Sequence, residues 1–124
     1  MQTDKIITLS LSLVAIILSV YNFNRSRHVT FYQDLDRLYM DVLKLAITYP
    51  SFVNPDKTQV YNQAFGKDDD TLIRYNLYAF MVWNVCETIY DRRGNKKFFR
   101  TWECIIKMEC DLHRAWIENN DNKC

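Results

Sequence analysis

The side chains in this sequence that could carry chemistry are few, and most of them pair at helical spacing. Glu109 and His113 lie four apart, Glu87 and Asp91 lie four apart, and Asp34 and Asp41 lie seven apart, so each pair shares one face of a helix. Carboxylates and an imidazole on one face are what a transition metal would use, and a metal-dependent oxidase would draw on Glu87, Asp91, Glu109 and His113. The Glu-x-x-His pair of di-iron bundles is missing, however. The four are therefore read as surface carboxylates and one helix histidine, with no metal and no cofactor. Cys104 and Cys110 would project about 120° apart on a helix, which makes them small packing residues and not a zinc pair.

Nucleophilic and phosphoryl chemistry lack their frameworks. There is no Gly-x-Ser-x-Gly elbow, and two glycines in the whole chain are too few for a phosphate-cradling loop. No residue is assigned a catalytic role. Asn84 and Glu87 fall in an otherwise apolar helical stretch and are expected to be buried, tied to a neighbouring helix by a register-fixing hydrogen bond. Arg100, Lys107 and Arg114 recur every seven residues beside Glu103, Asp111 and Glu118. That pattern predicts a solvated, salt-bridged helix face, and a formal charge of +1 gives no global attraction for nucleic acid.

The elements that must position these groups begin with Ile6 to Asn24, nineteen residues without charge, proline or glycine. As a helix they reach about 28 Å, close to the ~30 Å hydrocarbon core of a bilayer. A cleaved signal would need a basic start and small residues at its end; the leader carries one acid and one base, and the run closes on Val20-Tyr21-Asn22-Phe23. Residues 1–25 are thus read as a single-pass anchor in the cell membrane. Lys5 alone precedes it while Arg25, Arg27 and Arg37 follow, so the N-terminus is expected outside and the remainder in the cytoplasm. Cys86, Cys104, Cys110 and Cys124 have no framework-like spacing, as suits thiols in a reducing compartment. Asn24-Arg25-Ser26 matches a glycosylation acceptor but would sit at the bilayer edge on the wrong side.

Residues 26–119 are read as an all-α domain, an antiparallel three-helix, up-down-up bundle. Two prolines and two glycines favour helices over turn-rich sheet. Phe31, Leu35, Leu38, Val42, Leu45 and Tyr49 are spaced 4, 3, 4, 3, 4 and predict a first helix over 26–49, ended by Pro50. Nothing between Asn24 and Phe31 forces a break from the anchor. Residues 50–67 form a connection with a short helix near 58–65, and its Phe52, Val53, Tyr61 and Phe65 cover one end of the core together with Tyr49. Asp68, Asp69 and Asp70 suit the N-terminus of a second helix, expected over 71–90 with the stripe Leu72, Tyr75, Ala79, Val82, Cys86 and Ile89. Ile73, Leu77, Phe80, Met81, Trp83 and Val85 cover much of its remaining circumference, as in a central helix. Gly94 is expected to take a left-handed turn position before a third helix over 98–119, with Phe98, Trp102, Ile105, Leu112 and Trp116 inward. Residues 120–124 form a flexible tail.

Leu38-Tyr39, Tyr49-Pro50, Glu87-Thr88-Ile89-Tyr90-Asp91, Trp102 and Trp116 resemble, at rough spacing, small bacterial membrane proteins of unknown function in which an anchor precedes a helical domain. The resemblance implies that layout and supplies no activity. The function expected is a non-catalytic, membrane-tethered interaction module, an adaptor or small subunit; the alternatives are the metal-dependent enzyme above and a membrane-active effector that oligomerises its anchor. Two contact surfaces go with it. Thr8, Ser12, Ala15 and Ser19 form a face of small side chains on which a second copy could pack as a homo-oligomer. Arg25, Arg27, Arg92, Arg93, Lys96 and Lys97 are expected to gather at anionic lipid headgroups, with Asp56, Asp68, Asp69 and Asp70 at the far end.

Overall fold

The structure, a computed structural model, describes residues 1–120. It is all-α, a helical bundle with one long apolar helix at its N-terminus, and contains no strand among the described residues. Helix α1 runs Gln2–Thr48 without interruption, so the apolar run and the following amphipathic segment are one helix. A 3-10 turn, Pro50–Val53, and two short helices, α2 (Pro55–Thr58) and α3 (Tyr61–Phe65), lead to α4 (Asp69–Asp91), α5 (Lys96–Leu112) and α6 (Arg114–Asn120). The expected tail begins inside α6 at Asn120; residues 121–124 lie outside the described residues.

Two compact units divide the chain, Met1–Arg37 and Leu38–Cys124, with the boundary inside α1. In the first, eighteen consecutive residues reach a mean hydropathy of 2.1 and none is buried. That length and composition suffice to cross a membrane. The hydroxyls of Thr8, Ser10 and Ser12 donate to the carbonyls of Asp4, Ile6 and Thr8 at 2.8, 2.9 and 2.9 Å. Hydroxyl groups satisfied by their own helix add little polarity to its surface.

In the second unit, helix ends follow from side-chain chemistry. Tyr49, the residue before Pro50, leaves helical geometry at ψ 73° and ends α1. Asp68 starts α4: its carboxylate accepts the Asp70 N–H at 3.2 Å and the Thr71 hydroxyl at 2.8 Å. The Thr71 bond, above all, holds the Asp68 carboxyl below its usual range. Asn54 and Asn95 cap α2 and α5 in the same way, accepting from the N–H groups of Asp56 and Phe98 at 3.0 and 3.1 Å.

The turn between α4 and α5 differs from expectation. Gly94 is not left-handed, since no described residue has positive φ. Arg92 and Arg93 instead donate their N–H groups to Ile89 and Tyr90 at 3.1 and 3.0 Å, and Asn95 donates to Arg92 at 3.0 Å. These successive right-handed turns satisfy the last carbonyls of α4 without a left-handed residue.

The core draws on Tyr39 and Val42 of α1, Phe52, Thr58, Tyr61 and Phe65 of the connection, and Tyr75, Tyr78, Ala79, Val82, Val85, Cys86 and Ile89 of α4. Phe98, Trp102 and Trp116 close it from α5 and α6. The connection is almost wholly helical, and its aromatic side chains cover the end of the core around Tyr75, with ring centroids 5.4, 5.5 and 4.6 Å from Phe52, Tyr61 and Phe65. Such tilted and edge-on pairs add to the burial of large rings.

The single third helix expected over 98–119 is broken at His113, whose φ of −106° and ψ of 20° separate α5 from α6. Its N–H still donates to Glu109 at 3.0 Å, and its carbonyl accepts from Ile117 at 3.0 Å. The hydrogen-bond ladder is thus bent more than lost, and the bend occurs where an imidazole has been drawn fully into the core.

Candidate functional site

Inside the second unit, four polar side chains form a chain through the core. Tyr39 of α1 donates its hydroxyl to Oε1 of Glu109 on α5 at 3.0 Å. Oε2 of Glu109 faces Nε2 of His113 at 3.7 Å, and Nδ1 of His113 lies 2.9 Å from the Tyr75 hydroxyl on α4. Glu109 is 4% exposed and His113 0%, so this chain is closed to solvent. Aromatic rings wall it in, Trp102 edge-on to Tyr39 at 5.9 Å and Tyr78 edge-on to His113 at 5.5 Å.

Burial shifts each titratable group of this polar chain. Burial pushes His113 down to about 4, so its imidazole is neutral near pH 7 and the contact with Glu109 is not an ion pair. Burial also pushes the Glu109 carboxyl up, and the hydrogen bond from Tyr39 opposes that rise. Tyr39, Tyr75 and Tyr78 are all pushed up, chiefly by burial, and remain phenols. With Glu109 ionised, the arrangement that leaves fewest charges unmet has Tyr75 donating to Nδ1 and the Nε2–H of His113 aimed at Oε2. With Glu109 protonated, the carboxylic proton points at Nε2 and Nδ1–H donates to Tyr75. The two arrangements differ by one proton on the carboxyl and by the tautomer of His113, which is neutral in both. At 3.7 Å the Oε2 to Nε2 contact is longer than a hydrogen bond, and both atoms are otherwise buried without a partner, as is Nε1 of Trp102.

This placement corrects the reading of Glu109 as a surface carboxylate and draws His113, read only as a helix histidine, into the core. Phe98, Trp102 and Ile105 continue at spacing 4 and 3, and the next position on that face is Glu109, followed by His113 and Trp116. The same register exposes Asn84 and Glu87, which were expected to be buried. Inward positions on α4 run Tyr75, Tyr78, Ala79, Val82, Val85, Cys86 and Ile89, and the opposite face runs Ile73, Leu77, Phe80, Asn84 and Glu87. An apolar neighbourhood in sequence is therefore a poor guide here, because α4 is apolar on its solvent side as well.

The other expected groups fall as follows. Cys104 is exposed and Cys110 half-buried, so neither is a core packing residue; that role falls to Cys86. Arg100, Lys107 and Arg114 are exposed, and Lys107 pairs with Glu103 at 3.6 Å and Arg114 with Asp111, giving the salt-bridged face expected. Thr8, Ser12, Ala15 and Ser19, with Arg25 and Arg27, are exposed in the first unit; Arg92, Arg93, Lys96 and Lys97 are exposed in the second. Arg93 is engaged locally, donating to the Tyr90 carbonyl at 3.1 Å with its guanidinium 4.1 Å from the Tyr90 ring. Among the described residues no three His, Cys, Asp or Glu side chains converge as metal ligands. Tyr39 and Tyr75 were visible in the sequence only as apolar-face residues, and nothing in their spacing distinguishes a ring that only packs from one whose hydroxyl meets a buried partner.

The fold and site together define an all-α bundle with a buried Tyr-Glu-His-Tyr chain and a long apolar N-terminal helix. Comparison of the chain with protein-family models, with curated proteins and with solved structures finds no match in any of the three.

Proposed function

We propose that this protein is a membrane-tethered helical interaction module, an adaptor or small subunit of a membrane-associated complex. The observation that carries the reading is the outer face of α4. Ile73, Leu77 and Phe80, spaced 4 and 3, are 55, 61 and 53% exposed on the most heavily buried helix of the second unit. Three large apolar side chains in one exposed row are a recurrent feature of protein contact surfaces. The buried chain supports the same reading, because its reactive groups have no path to solvent and serve the packing of α1, α4 and α5 on one another.

The apolar N-terminal helix is the tether, with Lys5 outside and the unit that follows Arg25, Arg27 and Arg37 in the cytoplasm. A membrane-impermeant maleimide tests the orientation through exposed Cys104. Labelling of Cys104 in intact cells would reverse it. The interaction itself is tested by copurification in mild detergent, wild type against Leu77→Glu with Phe80→Glu. A stoichiometric partner retained by wild type and lost from the variant, at unchanged helicity, is expected. Equal recovery of partners from both would refute the role of α4.

A further inference from the structure

Beside the buried chain, on another side of the α4 and α5 pair, two thiols meet. Cys86 on α4 is buried and Cys110 on α5 is half-buried, and both are reduced. The two side chains act on one another's titration, raising Cys86 and lowering Cys110. Both also line one groove of about 450 Å³, together with Trp83, Glu87, Tyr90, Asp91 and Ile106. The groove gives a small molecule access to half-buried Cys110, and Cys86 borders the same space.

We propose that Cys86 and Cys110 form a dithiol redox site that exchanges with a small uncharged or cationic organic disulfide entering this groove. The roles follow from position. Interaction with Cys86 pulls the Cys110 thiol down to about 7, while interaction with Cys110 and burial push Cys86 up. Arg114 acts in the same direction on Cys110, and Asp111 and Glu109 oppose it. Cys110, half-buried and open to the groove, is the attacking group, and buried Cys86 in the same lining is the resolving one.

In the first step the Cys110 thiolate attacks one sulfur of the disulfide, the reagent's S–S bond breaks, and one thiolate leaves and takes a proton from water. In the second, Cys86 gives up its proton and attacks the Cys110 sulfur of the mixed disulfide. The second reagent thiolate leaves and accepts that proton. Two protein thiols are oxidised to one disulfide and the reagent is reduced to two thiols. In the product the two protein sulfurs stand about 2.05 Å apart. Trp83, Tyr90 and Ile106 offer apolar walls to the reagent's carbon atoms, and Glu87 and Asp91 place carboxylates in the same groove. These favour a cationic disulfide and disfavour an anionic one.

The test treats the full reduced chain in detergent with cystamine, a dicationic disulfide, or with oxidised glutathione, an anionic one, and maps the products by mass spectrometry. With cystamine the expected product is a Cys86–Cys110 linkage, about 2 Da lighter than the reduced chain, formed faster than with oxidised glutathione. Cys86→Ala should stop the reaction at a stable adduct on Cys110. The wild-type readout needs no variant to fold: a persistent adduct on Cys110, or linkage through Cys104 in preference to Cys86, would overturn the proposal. Equal rates with the two disulfides would overturn its charge preference.

Discussion

Replacing Glu109 by Gln should unmask a loss of stability on acidification that the unaltered chain partly conceals. His113 titrates near 4 when folded against about 6.5 when unfolded. Between those values the unfolded chain binds the proton and the folded one does not, so stability falls as pH falls. From pH 7.5 to 5 the linkage amounts to about 2 kcal/mol. Glu109 works the other way. Its folded pKa is raised, so the folded chain takes up that proton first, and protonation on acidification favours the fold. Gln at this position keeps an acceptor for the Tyr39 hydroxyl, presents an amide to Nε2 of His113, and cannot titrate. Urea unfolding of the full chain in detergent, followed by tryptophan fluorescence at pH 7.5 and 5, measures the effect. Glu109→Gln should lose about 2 kcal/mol over that interval, the unaltered chain less, and Glu109→Gln with His113→Gln close to none beyond the background. A Glu109→Gln chain as insensitive to pH as the double variant would refute a buried neutral His113.

Tyr39→Phe removes the hydroxyl that donates to Oε1 of Glu109 at 3.0 Å and should cost about 1–3 kcal/mol in urea unfolding at pH 7.5. The Glu109 carboxyl should also titrate higher by carbon-13 NMR, since that bond holds it down; an unmoved titration would show that the bond does not form in solution. Gly66→Ala would drive a Cβ into the Asn62 carbonyl oxygen, whereas at Gly94 a Cβ meets nothing within 4 Å. The first should destabilise by at least about 1 kcal/mol and the second should be neutral or stabilise by a few tenths of a kcal/mol through the unfolded chain; equal effects at the two sites would refute the close backbone approach at Gly66.

The parts of this fold that were legible in the sequence are those dictated by local chemistry. Pro50 ends α1, Asp68 begins α4, and of the stripe Leu72, Tyr75, Ala79, Val82, Cys86 and Ile89 all but the half-buried Leu72 are buried as its spacing requires. What misled was polarity used as a measure of burial. Asn84 and Glu87 seemed inward because their neighbours are apolar, yet Ile73, Leu77 and Phe80 share their exposed face. Glu109 was read as outward because it is polar, yet it and His113 occupy the positions that follow Phe98, Trp102 and Ile105 in the inward register. The helical period alone would have placed both sets correctly, since rotation about an axis is fixed by spacing and not by side-chain type.

The cross-chain partners are the part that spacing could not supply. Tyr39 and Glu109 are seventy residues apart, and Tyr75 and His113 thirty-eight. A buried carboxylate is tolerable only where another element presents a donor, and that condition depends on how α1, α4 and α5 pack. The bend at His113 belongs to the same class. A straight helix over 98–119 is what its residues favour locally, and the helix is interrupted at the residue whose imidazole meets the Tyr75 hydroxyl at 2.9 Å. A tertiary hydrogen bond in a closed core, reinforced by the packing of Tyr78 against the same ring, outweighs the modest local cost of bending a hydrogen-bond ladder whose bonds are largely kept.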